Sequence, residues 1–261
     1  MESQIIMYFT FLKKKTITYL AISIALIVIA SLLLSFTGAS AVFYGKPLKK
    51  LPIYYVKTEE KKLAISFDCA WGTDYTDELL SVMQQRKVKC TFFMVEFWTK
   101  KHPDYVKKIW DFGHEIGTHS ATHPYMSKLS RERIINELTT SSKAIQDITG
   151  TAPKVFRAPY GDYNDLLIQT ATDLNLYTIQ WDVDSLDWKD LSKDEIKKRV
   201  LKKVKNGSIV LFHNQGKNTA KALPKIIDTL KDKGYTFVPI GELIYTENYY
   251  INSNGEQIKN S

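Results

Sequence analysis

The stretch Ser66-Phe67-Asp68-Cys69-Ala70-Trp71-Gly72 decides how the chain is read. It follows the apolar run Leu63-Ala64-Ile65 and ends in a glycine, the pattern of a buried strand stopping at a turn. Such a strand carries a carboxylate, Asp68, and a thiol, Cys69, to its C-terminal mouth. Downstream lie the other groups able to do chemistry: His119 and His123, Arg157 to Tyr160, Asp182, Asp184 and Asp187 with Trp188, and His213.

Outward from that strand, apolar runs alternate with helical patterns. Strands are predicted at 64–68, 90–95, 115–118, 155–157, 177–181, 208–213 and 235–238. Helices are predicted around 77–85, 104–112, 130–150, 164–174, 192–207 and 220–233. Ser130 and Gly150 punctuate the longest helix, and Ser192-Lys-Asp-Glu195 is a capping box. The tail after Tyr245 is polar and is expected to fray. Repeated βα units imply a parallel sheet, open or closed into a barrel. Function in such folds sits where the strands end, and every candidate group falls at or just after a predicted strand end.

Composition bounds the rest. With 261 residues, 44% hydrophobic and 25% charged, the chain can fill one sizeable core. A net charge of +8 suits an anionic neighbourhood: nucleic acid, a membrane surface or a cell-wall polymer. Zinc-finger spacing, RNP aromatics and a basic helical arm are all missing from the sequence, so nucleic acid is set aside. The sequence also has no Gly-x-Ser-x-Gly elbow and no phosphate-cradling loop, which sets aside serine hydrolases and nucleotide binders. Cys69 ends one strand and Cys90 begins the next. Parallel neighbours place them about five residues apart along the sheet, roughly 16 Å, so no disulfide is expected.

Lys13-Lys14-Lys15 precedes an uncharged apolar run ending at Phe36, close to the ~20 residues a bilayer requires. The basic flank predicts an inside N-terminus, with the remainder extracytoplasmic. The run is long for a signal-peptide core, which favours a single-pass cell-membrane anchor. Ala39-Ser40-Ala41 resembles a cleavage site, after which the chain would be secreted. The expected division is a basic cytoplasmic segment 1–15, an anchor 16–36, a linker 37–60, a βα domain 61–245 and a polar tail 246–261. Nothing in the sequence sets an oligomeric state.

Each candidate residue also has an ordinary reading. His119 and His123 are four apart; on a helical turn both imidazoles would share one face and a metal, or form an ordinary surface pair, but the pair follows a strand and ends at Pro124, which places it in a functional loop. A strand-end Asp68 is a general base, a metal ligand or a loop cap. Arg157 could hold a carboxylate bidentately or form a surface pair. His213 is a general acid or a satisfied core histidine.

Taken in order, the motifs Ser-Phe-Asp-Cys, His119-Ser-Ala-Thr-His123, Arg157-Ala-Pro-Tyr-Gly161, Asp184-Ser-Leu-Asp187-Trp188 and Ile209-Val-Leu-Phe-His213 resemble the NodB-homology polysaccharide deacetylases, carbohydrate esterase family 4. Ala70-Trp71-Gly72 and the N-terminal helix look most like the PdaB-type sporulation branch. The resemblance implies a distorted (β/α) barrel with fewer than eight regular strands. It implies removal of N-acetyl groups from amino sugars of a peptidoglycan-like glycan, with a divalent metal, usually Zn2+. Asp68 matches the catalytic base, Arg157 its orienting partner, and His213 the acid held by Asp187. Tyr160 matches the oxyanion donor through its backbone N–H; Trp188 and Leu211 match the acetyl pocket; His119 and His123 match metal ligands. The third ligand in the family is an aspartate, and here that position is Cys69. Three outcomes stay open: a thiolate ligand, a weak two-histidine metal, or a silent domain acting as a cell-wall or sporulation binding factor.

Overall fold

The computed structural model describes residues 2–36 and 49–260, in two units, Met1–Lys49 and Lys50–Ser261. The cleavage-like Ala39–Ala41 and most of the expected linker lie outside the described residues. In the first unit, α1 (Glu2–Phe36) contains the stretch Lys15–Leu33, with a mean hydropathy of 2.4 and no burial along its length. It is the one helix among the described residues that is long and apolar enough to cross a membrane.

The second unit is a βα alternation built on a parallel sheet. Its elements are β1 (Tyr55–Val56), β2 (Lys62–Cys69), α2 (Thr76–Gln85), β3 (Thr91–Met94), α3 (Glu96–Lys101), α4 (Pro103–Asp111), β4 (Glu115–Thr118), α5 (Arg131–Thr149), β5 (Val155–Phe156) and α6 (Asp165–Asp173). There follow β6 (Tyr177–Thr178), β7 (Val183–Asp184), α7 (Lys193–Lys203), β8 (Ile209–His213), α8 (Thr219–Asp232), β9 (Thr236–Phe237), α9 (Ile240–Leu243), β10 (Tyr249–Ile251) and β11 (Glu256–Lys259). Strand order is β6-β5-β4-β3-β2-β8-β7, with β9 added beside β2. The sheet is open and irregular. Its two edges, β6 and β7, are joined by residues 179–182, so one extended run starts beside β5 and finishes beside β8. The segment around Ile53 and β1 straddles the opening, bridging to Ile179 and Ser208. There Val56 donates its N–H to Gly207 O at 3.0 Å. Gly207 has φ +75°, and an added Cβ would sit 1.8 Å from Val56 O. Gly207 therefore serves this strap; α7 has already ended at Lys203.

Strand alternation sorts the two faces. Leu63, Ile65, Phe67 and Cys69 of β2 join Phe92 and Phe212 in the cluster on one face of the sheet. Ala64, Phe93 and Ile209 join the cluster on the other. Ser130 caps α5 by accepting from Arg133 N, Gly150 closes it in the left-handed region, and the Ser192–Glu195 capping box opens α7. The expected frayed tail is instead an ordered hairpin. β10 and β11 pair antiparallel, and β11 pairs in parallel with β1. The buried Gln257 carboxamide accepts from Tyr245 N–H at 2.9 Å and donates to Tyr245 O at 2.6 Å, which pins the hairpin to the body of the unit.

Candidate functional site

β2 ends at the mouth of a cavity of about 610 Å3, and Asp68 sits in its wall. Asp68 is level with His213 on β8 and Phe93 on β3. Its Oδ1 accepts from Arg157 Nη1 at 2.8 Å. Arg157 is fully buried, lies over the Phe93 ring at 4.2 Å, and gives its second amino group to Gln180 O at 3.1 Å. The pair is thus single-ended, where a bidentate pair was expected. Burial pushes the Asp68 carboxyl up, but the Arg157 charge outweighs it with help from His119 and His213, and the carboxyl stays below its ordinary range.

His213 Nδ1 donates to Asp187 Oδ1 at 2.8 Å, while Asp187 Oδ2 accepts from the His213 backbone N–H and the Thr219 hydroxyl. Burial disfavours the imidazolium, but the hydrogen bond and charge of Asp187, with Asp68 and Asp184 beyond, raise its pKa above the ordinary value. Tyr160 sits in the left-handed region (φ +60°) with its ring 59% exposed at the cavity edge. Trp188 and Leu211 also line the cavity. Asp182 does not: its carboxylate is taken up by Ser208 and the Ile209 N–H.

His119 and His123 lie in a loop after β4, as the preceding strand and the following Pro124 suggest, with Ser120 and His123 at positive φ. Glu137, buried on α5, holds this loop by accepting from Ala121 N–H, Thr122 N–H and the Thr122 hydroxyl. The two imidazole rings are 5.0 Å apart. His119 Nδ1 donates to Arg157 O at 2.8 Å, which leaves Nε2 facing Asp68 at 3.6 Å.

The third expected ligand does not join them. Asp68 and Cys69 are consecutive in a strand, so they point to opposite faces. The Cys69 side chain lies with Leu63, Ile65 and Phe67 in the apolar cluster on the far side of β2. Burial, with the nearby Asp68 and Cys90, holds its thiol far above the ordinary range, and so protonated. Among the described residues, no three His, Cys, Asp or Glu side chains are arranged to hold a metal ion. The residues present do not fit the expected three-ligand Zn2+ centre: the Cys69 thiol is turned away, and among the described residues His119 and His123 have no third protein ligand. That corrects both the metal expectation and the metal-dependent hydrolase built on it. Cys90 also carries a free, buried thiol, beside the buried His114 ring.

Sequence reasoning missed several lining groups. Trp71 stands at the mouth, 64% exposed, and Asn214 ties the β2 exit loop by donating to Trp71 O and Gly72 O. Glu137 carried a legible signal, an acid between Ile134 and Leu138 on the buried face of a helix. A larger groove of about 840 Å3 runs past Leu51, Tyr177, Ile244 and Tyr249. Its one carboxylate, Glu115, is already bonded to Thr91 and Gly241, so the chemistry gathers in the smaller cavity.

A central parallel sheet, a strand-end Asp–Arg pair and a His–Asp pair define a deacetylase-type architecture, and comparison agrees. The polysaccharide deacetylase family model matches residues 55–179. A Bacillus cereus peptidoglycan-N-acetylglucosamine deacetylase is 36% identical over 194 residues, covering 72% of this chain and 91% of that protein. The chain belongs to the polysaccharide deacetylase family. The uncharacterized Bacillus subtilis protein YlxY is 36% identical over 197 residues, 76% of this chain, which spans 61% of YlxY's length. Among solved structures, wild-type BA3943 of Bacillus anthracis, described as a CE4 family pseudoenzyme, matches with a TM-score of 0.72 at 35% identity, covering 74% of this chain and 68% of that one. A mutant of BA3943 is described as having restored enzymatic activity.

Proposed function

We propose that this chain is a deacetylase-fold protein of the cell envelope that holds an N-acetylated, peptidoglycan-like glycan in the Asp68–His213 cavity without turning it over. The position of Cys69 carries the reading: the strand that presents Asp68 to the cavity turns the ligand position away from it. The described pseudoenzyme among the similar structures supports the same conclusion, and the Bacillus cereus relative's name supports the glycan class.

On this reading the inherited groups serve as binding partners. Asp68 and His213 offer an acceptor and a donor to the sugar amide and hydroxyls, held in place by the buried Arg157 and Asp187 behind them. Trp188 and Leu211 receive the acetyl methyl, and the Tyr160 backbone N–H is offered to the amide oxygen. The apolar α1 supports a single-pass tether at 16–36, with 1–15 inside and the 61–245 domain outside the membrane. Placement in the sporulation branch rests on Ala70-Trp71-Gly72 and this helix alone, and none of the relatives named above carries that branch's name. Full-length chain in detergent micelles should sediment with insoluble peptidoglycan. Protein left in the supernatant at every glycan concentration overturns the proposal.

A further inference from the structure

Parallel strands start together, so the residues just before them gather at one end of the Lys50–Ser261 unit. Here that end is basic. Lys61 and Lys62 open β2, Lys205 precedes β8 and Lys233 precedes β9. Contacts join them into a belt. Lys61 Nζ donates to Lys233 O at 2.9 Å, Gly207 N–H donates to Lys62 O at 2.8 Å, and Lys205 Nζ lies 3.4 Å from the centre of the Tyr55 ring. Helices returning to this end add Lys203 at the close of α7 and Lys231 at the close of α8. Lys231 donates to Arg86 O, beside Lys87.

Lys61, Lys87, Lys203, Lys205, Lys231 and Lys233 are all exposed, and among the described residues none is in an ion pair. The acids at this end are mostly engaged: Glu60 by Lys62, Asp228 by Arg86, and Asp182 by Ser208 and Ile209 N–H. Glu59 and Asp232 remain, too few to balance the belt. The cavity end is different. There the first turns of α2, α6 and α7 carry Asp77, Glu78, Asp165, Asp194 and Glu195. The length of β2, Lys62–Cys69, puts the belt roughly 20 Å from the cavity mouth. Lysines at helix ends also suit the helix dipole, but Lys61 stands before a strand and gains nothing from it. Unbalanced cations on one face favour an anionic partner.

Residues 37–48 separate α1 from Lys49, and a stretch of that length spans at most about 43 Å. With α1 as a tether, the unit stays within reach of a bilayer surface. A lysine close to anionic headgroups gains about fivefold in binding there.

We propose that this basic end docks on an anionic phospholipid surface, leaving the cavity mouth turned away from the bilayer. The inference rests on the reading of α1 as a membrane tether and adds a second contact, made by the folded unit itself.

The test uses the full-length chain in two lipid nanodiscs, one of phosphatidylcholine alone and one of phosphatidylcholine and phosphatidylglycerol in equal amounts. Exposed lysines are acylated with a water-soluble succinimidyl ester, and the extent at each is read by peptide mass spectrometry. Lys61, Lys205 and Lys233 should react at least about fivefold more slowly on the anionic disc. The difference should vanish near 1 M salt, where charges are screened within about 3 Å. Lys128 and Lys189, over the rings of Tyr125 and Trp188 at the cavity end, should react equally on both discs. Equal labelling of the belt on the two discs overturns the proposal and leaves the tether intact. Slower labelling of every lysine alike also overturns it, because no face is then selected. Protection of the belt by soluble poly(glycerol phosphate), with none from the anionic disc, overturns it in favour of a wall polymer. A chain that co-elutes with neither disc overturns the tether reading and this proposal together.

Discussion

At the scale of single residues, the site is a set of charges that satisfy one another. Arg157 is fully buried and its charge has Asp68 as partner; a lone buried charge of either sign would be costly. His213 is the group whose titration reports this balance. Its pKa in the folded chain is raised, while the unfolded value is about 6.5. Its protonation therefore stabilises the fold fully below about pH 6.5, and the contribution fades as pH rises through the folded value. In an NMR titration the His213 imidazole should show its midpoint above about 6.5, and Asp187→Asn should lower it. A midpoint at or below that value in the wild-type chain would contradict the arrangement. His114 behaves oppositely. Burial lowers its pKa to about 4, so it folds as the neutral imidazole against Cys90, and stability is lost as pH falls from about 6.5 toward that value.

At the scale of elements, β2 decides the chemistry, because a strand cannot aim two consecutive side chains at one point. Substituting Cys69 tests this. Cys69→Ala removes a small apolar group from a packed cluster and should cost about 1 kcal/mol. Cys69→Asp places a carboxylate there without a partner and should cost about 3–5 kcal/mol. Urea denaturation distinguishes them, and an Asp variant as stable as the wild type would put side chain 69 at the mouth instead. The period-2 alternation of Leu63, Ile65, Phe67 and Cys69 was already legible in the sequence, but the resemblance of the motifs drew Cys69 to the metal. The caps of α5 and α7 were equally legible, because Ser130, Gly150 and Ser192–Glu195 act through local backbone bonds. That His119–His123 lies in a loop was legible from the preceding strand and Pro124, but the shape of that loop was not, since it depends on Glu137 from α5. The β10–β11 hairpin was hidden for the same reason. Its stability comes from β1 and from Gln257, and its own composition reads as a polar tail.

At the scale of the molecule, the Lys50–Ser261 unit keeps what the fold needs and departs at one ligand position. The order of strands brings Asp68, Arg157, Asp187 and His213 together from four separate stretches, with Asp68 and His213 in the cavity wall and Arg157 and Asp187 buried behind them, and the strand-end positions pointed to that convergence. The irregular, open sheet matches the distorted (β/α) fold that the motif resemblance implies, while the 179–182 run linking its two edges and the strap at Ile53 were not legible in the sequence. The described residues hold a cavity of about 610 Å3 edged by aromatics, a helix apolar enough to span a bilayer, and a histidine pair with no third metal ligand. The most direct test of this account is acetate release from an N-acetylated peptidoglycan substrate by the full-length chain supplied with zinc. The account predicts release at the level of a protein-free control; zinc-dependent acetate release above that control, abolished by Asp68→Asn, would contradict it.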